Sequence, residues 1–149
     1  MSSEERNAVG AIISFMVTIW IFGRPIWAKT TSGAYAAADG LQDWGRDVLW
    51  LMGGGIVITI VAMILFHIIL SIVTGDTNPQ MITDERDRAI SRIGSIVSLV
   101  GASGGFISAV IALALGMEAV FAFNCVLVGM TGGAIASEVL RVALYRLGF

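Results

Sequence analysis

Four long runs without a charged side chain divide this sequence: residues 7–23, 48–75, 93–117 and 119–137. A helix that crosses the hydrocarbon core of a bilayer needs about 20 mainly apolar residues, within a range of about 17–25. Each run therefore predicts one span, over residues 7–27, 48–73, 93–115 and 119–141. The first run is the shortest and ends at Arg24 and Pro25. Arg24 is expected to snorkel to the interface, while Ile26 and Trp27 extend the buried part. The second run exceeds what a span needs and is expected to tilt or to project. Backbone amides find no partner in hydrocarbon, so the spans should be α-helices. The alternating ten-residue segments of a β-barrel are absent. The expected fold is all-α: one domain over residues 1–149, built as an integral membrane four-helix bundle.

Composition sharpens this. Of 149 residues, 56% are hydrophobic and 13% charged, with a mean hydropathy of +0.86. Soluble domains run about 45–50% apolar and about 25% charged, so a soluble or disordered chain is excluded. Nine Lys and Arg against eleven Asp and Glu give a net charge of −2, which leaves no basic footprint for nucleic acid. The basic residues are unevenly placed. Arg6, Arg86, Arg88, Arg92, Arg141 and Arg146 fall on one side of the spans, and Arg24, Lys29 and Arg46 on the other. The positive-inside rule then puts both termini in the cytoplasm. Trp20, Trp27, Trp44 and Trp50 all fall on the opposite side and read as an outer aromatic belt. The N-terminal Met-Ser-Ser-Glu-Glu-Arg is acidic and lacks a signal-peptide cleavage pattern, so the first span is expected to stay in the mature protein.

Small residues mark where helices should touch. Gly94, Ser98, Gly101, Gly105, Ser108 and Ala112 recur every three or four positions on the third helix, and Cys125, Gly129, Gly132, Gly133 and Ala136 stud the fourth. Such stripes permit close backbone approach, which drives association in lipid. The connection over residues 115–118 is so short that helices three and four must form an antiparallel hairpin. The stripes are expected to meet there, or one of them to form a homodimer seam. Gly53, Gly54 and Gly55 suggest a close crossing or a flexible point. The outer loop, residues 28–45, leaves room for a short interfacial helix.

Candidate chemistry is sparse. One cysteine, Cys125, excludes an intrachain disulfide and a CxxC redox pair. One histidine, His67, excludes a bis-histidine haem held by one chain. No P-loop occurs, and no cofactor is expected. The middle of every span is uncharged, unlike coupled transporters, and the first span lacks the embedded Glu of small multidrug exporters. The ionisable residues gather at the cytoplasmic ends: Glu4, Glu5 and Arg6, then His67, then Asp84, Glu85, Arg86 and Asp87, then Glu138 and Arg141. One reading is a salt-bridge layer, with Asp84–Arg88 and Glu138–Arg141 spaced to pair within a helix. The other is a divalent-metal or proton site formed by His67, Glu138 and an acid from Asp84, Glu85 or Asp87. Asn124, in the outer half of the fourth helix, is expected to make an interhelical hydrogen bond.

Two segments echo each other at an offset of 80 residues: Ser3-Glu4-Glu5-Arg6-Asn7 and Thr83-Asp84-Glu85-Arg86-Asp87. Shared helix-start rules explain the echo; a duplicated two-helix unit is the alternative. Together with Ile90 and with Ser137-Glu138 and Tyr145-Arg146-Leu147-Gly148 near the end, these segments resemble an uncharacterised bacterial family of small four-helix membrane proteins. That family carries an Asp-Glu-Arg-Asp motif before the third helix. Leu147 departs from it, standing where a second basic residue is usual. The resemblance implies a multi-pass protein of the bacterial inner membrane and brings no activity with it. The expected function is non-enzymatic, as an accessory or regulatory subunit in the bilayer with a membrane-protein partner or a second copy. The alternative is a metal- or proton-linked enzyme or carrier using the cytoplasmic-face cluster.

Overall fold

The computed structural model describes residues 3–74 and 85–147. Every regular element among them is helical. Helix α1 (Ser3–Thr18) runs through a five-residue π-helical segment (Ile19–Gly23) into α2 (Arg24–Thr31). After a 3₁₀ turn (Ala34–Ala36) come α3 (Gly40–Thr74), α4 (Glu85–Ala114) and α5 (Ala119–Leu147). Four stretches are long and apolar enough to cross a membrane: Glu5–Thr31, Gly40–Val73, Glu85–Ala114 and Ala119–Leu147. All four are longer than the uncharged runs, because the helices continue through the charged residues at their ends. Thirty residues make a rod of about 45 Å at about 1.5 Å per residue, against a hydrocarbon core of about 30 Å.

The first rod does not stop at Arg24 and Pro25. Pro25 has no N–H to give the Ile21 carbonyl. The π segment widens the turn just before it, and the Arg24 N–H reaches back five residues to the Ile19 carbonyl. Pro25 then sits in the first turn of α2, where its missing donor does no harm.

Helices α4 and α5 form the tightest contact. Their turn is closed at Gly116, whose φ of 76° few other residues adopt. The Met117 N–H bonds to the Ala112 carbonyl and the Gly116 N–H to the Leu113 carbonyl, both at 3.0 Å, the paired closure of a Schellman motif. Along the seam the backbones themselves touch. A Cβ at Gly101 would meet the Gly133 Cα, and one at Gly105 would lie 2.7 Å from the Cys125 carbonyl oxygen and 2.8 Å from the Gly129 Cα. Gly94 lies against Ser137 and Arg141 lower down. Ala109, Ala112 and Ala122 fill the other end of the seam, with Cys125 and Val126 against them.

The four long helical rods stand in an open row. Helix α4 packs on α5, α5 on α1, and α1 on α3; α3 meets α5 only lightly and shares no substantial contact with α4. Helix α3 is the edge. No residue in its most apolar stretch is buried. Its contact with α1 is close where it occurs: Gly10 fits against Met63, Gly54 against Phe22, and Gly55 against Thr18. The four helices thus do not enclose a common core, as a closed bundle would.

Candidate functional site

At one end of the row, polar side chains fasten neighbouring helices in pairs. His67 on α3 places Nδ1 2.7 Å from the Met63 carbonyl and Nε2 3.1 Å from Asn7 Oδ1 on α1. A carbonyl only accepts, so Nδ1 carries the hydrogen of this contact. Glu138 and Arg141 pair within α5 at 3.3 Å, both half-buried. Arg141 lies over Gly94 of α4, where a Cβ would strike its Nε. That Nε is buried without a hydrogen-bond partner among the described residues. The Tyr145 hydroxyl donates to Asp87 at 3.0 Å, and Arg86 donates to the Tyr145 carbonyl at 3.3 Å, joining α5 to α4. Arg146 reaches Glu5 at 3.4 Å, so the first turn of α1 and the last of α5 share one end of the molecule.

The described residues of the alternative metal or proton reading fall in separate places. His67 contacts Asn7 and Met63, while Glu138 contacts Arg141 and Asp87 contacts Tyr145. Glu85 opens α4 and is exposed. Among the described residues no three His, Cys, Asp or Glu side chains gather into a group able to hold a metal. Asp84, and with it the Asp84–Arg88 pair, lies outside the described residues.

The opposite end holds a second network that the sequence pattern did not reveal. Lys29 at the end of α2 meets Asp47 of α3 at 2.6 Å, and the Tyr35 hydroxyl donates to the same carboxylate oxygen at 2.5 Å. The Lys29 ammonium also faces the Tyr35 ring, 5.9 Å from its centroid. Tyr35 is buried with Ile26 and Val120, against Trp44, Val48 and Leu51. Burial first, then the hydrogen bond to Asp47 and the charges of Asp47 and Asp43, push the Tyr35 hydroxyl well above its ordinary value of 10.0.

Asn124 does make an interhelical hydrogen bond. Its Oδ1 accepts from the Trp44 indole N–H at 2.8 Å, and its amide donates to Thr30 Oγ1 at 3.3 Å. Trp44 is therefore no part of an exposed belt. It is half-buried, its ring tilted by 33° against Phe123 with the centroids 5.5 Å apart, while Trp20, Trp27 and Trp50 are exposed. The only advance signal for this end was one asparagine in an apolar helix. Lys29, Tyr35 and Asp47 are too far apart in sequence for any spacing rule to join them.

No protein-family model, no curated protein and no solved structure matches the chain.

Proposed function

We propose that this chain is a small multi-pass protein of the bacterial inner membrane, with both termini in the cytoplasm. It acts as an accessory or regulatory subunit rather than as an enzyme. The observation that carries the reading is the edge position of α3. This long apolar helix packs mainly on α1, meets α5 and the outer turn only near Trp44 and Asp47, and leaves a ladder of exposed side chains, including Ile56, Ile60 and Ile64. A contiguous apolar surface of that size is untenable in water. In a bilayer it is free to meet either lipid or another protein's helix.

Support for the orientation comes from the six basic residues at one end of the row against three at the other. In a Cys125→Ala background, single cysteines within residues 31–42 should label from outside intact cells. Those within residues 76–81 should label only after permeabilisation. For the subunit reading, a photo-crosslinking residue at Ile60 or Ile64, followed by purification in mild detergent, should trap one defined protein. Repeated recovery of the chain alone refutes it.

A further inference from the structure

Between the π-helical segment and the first half of α3 lies a furrow that the two helices do not fill. Its walls include Phe22 on one side and Arg46, Leu49, Trp50, Gly53 and Val57 on the other, and it encloses about 720 Å³. Gly53 leaves its wall without a side chain at that point. Among the described residues, no atom lies within 4 Å of where a Gly53 Cβ would be, whereas the next residue, Gly54, is covered by the Phe22 ring. The π segment contributes the opposite wall, since its widened turn carries Ile21 and Phe22.

We propose that this furrow is a phospholipid site: one acyl chain lies along it and the lipid phosphate sits at Arg46. The proposal rests on the membrane reading above. Three features select this occupant. The first is length. From Arg46 to Val57 the helix advances about 17 Å at about 1.5 Å per residue, which is close to half of a hydrocarbon core of about 30 Å. The furrow is thus one leaflet deep. The second is polarity. The walls are apolar except at one end, where Arg46 stands with its side chain 74% exposed. Its 3.4 Å contact with Asp43 is an exposed pair of the weakly held kind. The planar fork keeps further donors for phosphate oxygens. The third is capacity. The volume falls within the range of about 300–1,000 Å³ of sites that hold one small molecule. Trp50, exposed on the wall next to Arg46, suits the headgroup boundary.

Every lipid-facing surface touches acyl chains, so the test is retention. The chain, purified in mild detergent with dioleoylphosphatidylglycerol added, is examined by native mass spectrometry. One lipid per chain should survive removal of the detergent. A Cβ at Gly53 meets nothing within 4 Å, so Gly53→Phe has room to start into the furrow and should abolish retention, while Gly132→Phe, at another open glycine, should leave it unchanged. Val57→Trp blocks the same space and decides the matter if Gly53→Phe does not fold. Arg46→Gln should weaken retention about tenfold, the factor carried by one charge-assisted hydrogen bond. Any of four results overturns the proposal: no retained lipid, retention as strong as the parent's in both furrow-filling variants, oleate held as firmly as the phospholipid, or a Gly53-dependent dimer in place of the lipid. Carbonate extraction separates the two levels of failure. A chain released by carbonate refutes the membrane reading itself, whereas a chain that stays in the membrane fraction but holds no lipid refutes only the furrow.

Discussion

Replacing Gly105 by alanine adds one methyl group at the tightest point of the α4–α5 seam. The new Cβ would lie 2.7 Å from the Cys125 carbonyl oxygen and 2.8 Å from the Gly129 Cα. Comfortable separations between such atoms are about 3.5–4.0 Å, so the deficit approaches 1 Å. Both obstructing atoms belong to backbone, and no rotamer change relieves the clash. The helices must part. A radial gap of about 0.5–1 Å forfeits roughly a quarter to a half of each dispersion contact along the seam, and overpacking a tight contact costs about 1–3 kcal/mol. Against this stands the helical preference of alanine over glycine, about 1 kcal/mol at most. Packing should win, because both obstructing atoms are backbone, with a net loss of up to about 2 kcal/mol. Gly104 is the internal control. It is the preceding residue, and among the described residues nothing lies within 4 Å of its Cβ position. Gly104→Ala should be neutral or slightly stabilising. Equilibrium unfolding of both variants in bicelles measures the difference. If Gly105→Ala proves as stable as Gly104→Ala, backbone contact does not hold this hairpin together.

Three further outcomes follow from the ends of the row. Trp44→Phe removes the indole donor to Asn124 and should lower stability by about 0.6 kcal/mol, the mean for interhelical hydrogen bonds in membranes; Trp27→Phe, at an exposed ring, should change little in the same unfolding assay. Tyr35 has a raised folded value, so its protonated hydroxyl stabilises the fold fully below its ordinary value of 10.0, and that contribution is lost as pH rises above it; the stability difference between the parent and Tyr35→Phe should be constant from pH 7 to 9 and shrink beyond pH 10. Glu138→Gln, which still hydrogen-bonds to Arg141, should be mild, whereas Glu138→Leu strips a partner from a half-buried guanidinium and should lower stability by about 1–3 kcal/mol, read as a fall in thermal midpoint in detergent.

The helical class and the four long apolar helices were legible because length and hydropathy are properties of the sequence, and a bilayer would demand of each such stretch apolar side chains outside and amide hydrogen bonds inside. The Gly94, Ser98, Gly101 and Gly105 stripe could be read for the same kind of reason, since a spacing of three or four residues places small side chains on one face whatever that face meets. The i,i+3 pairing of Glu138 with Arg141 is equally local. The order of the row was not legible. Lipid tails are as apolar as leucine, so hydropathy does not distinguish a face that meets lipid from one that meets a helix. Ile60 on the unburied edge of α3 and Ile90, almost wholly buried in α4, look alike in sequence. Only the folded chain set α3 at the edge and joined Trp44 to Asn124, Lys29 and Tyr35 to Asp47, and His67 to Asn7 rather than to Glu138. The span over residues 7–27 anticipated that the first helix runs on through Pro25; only the folded chain showed the π turn before it, in which the Arg24 N–H bonds to the Ile19 carbonyl. Period and composition determine what a face is made of; which neighbour covers it depends on contacts between distant residues, and those exist only once the helices have packed.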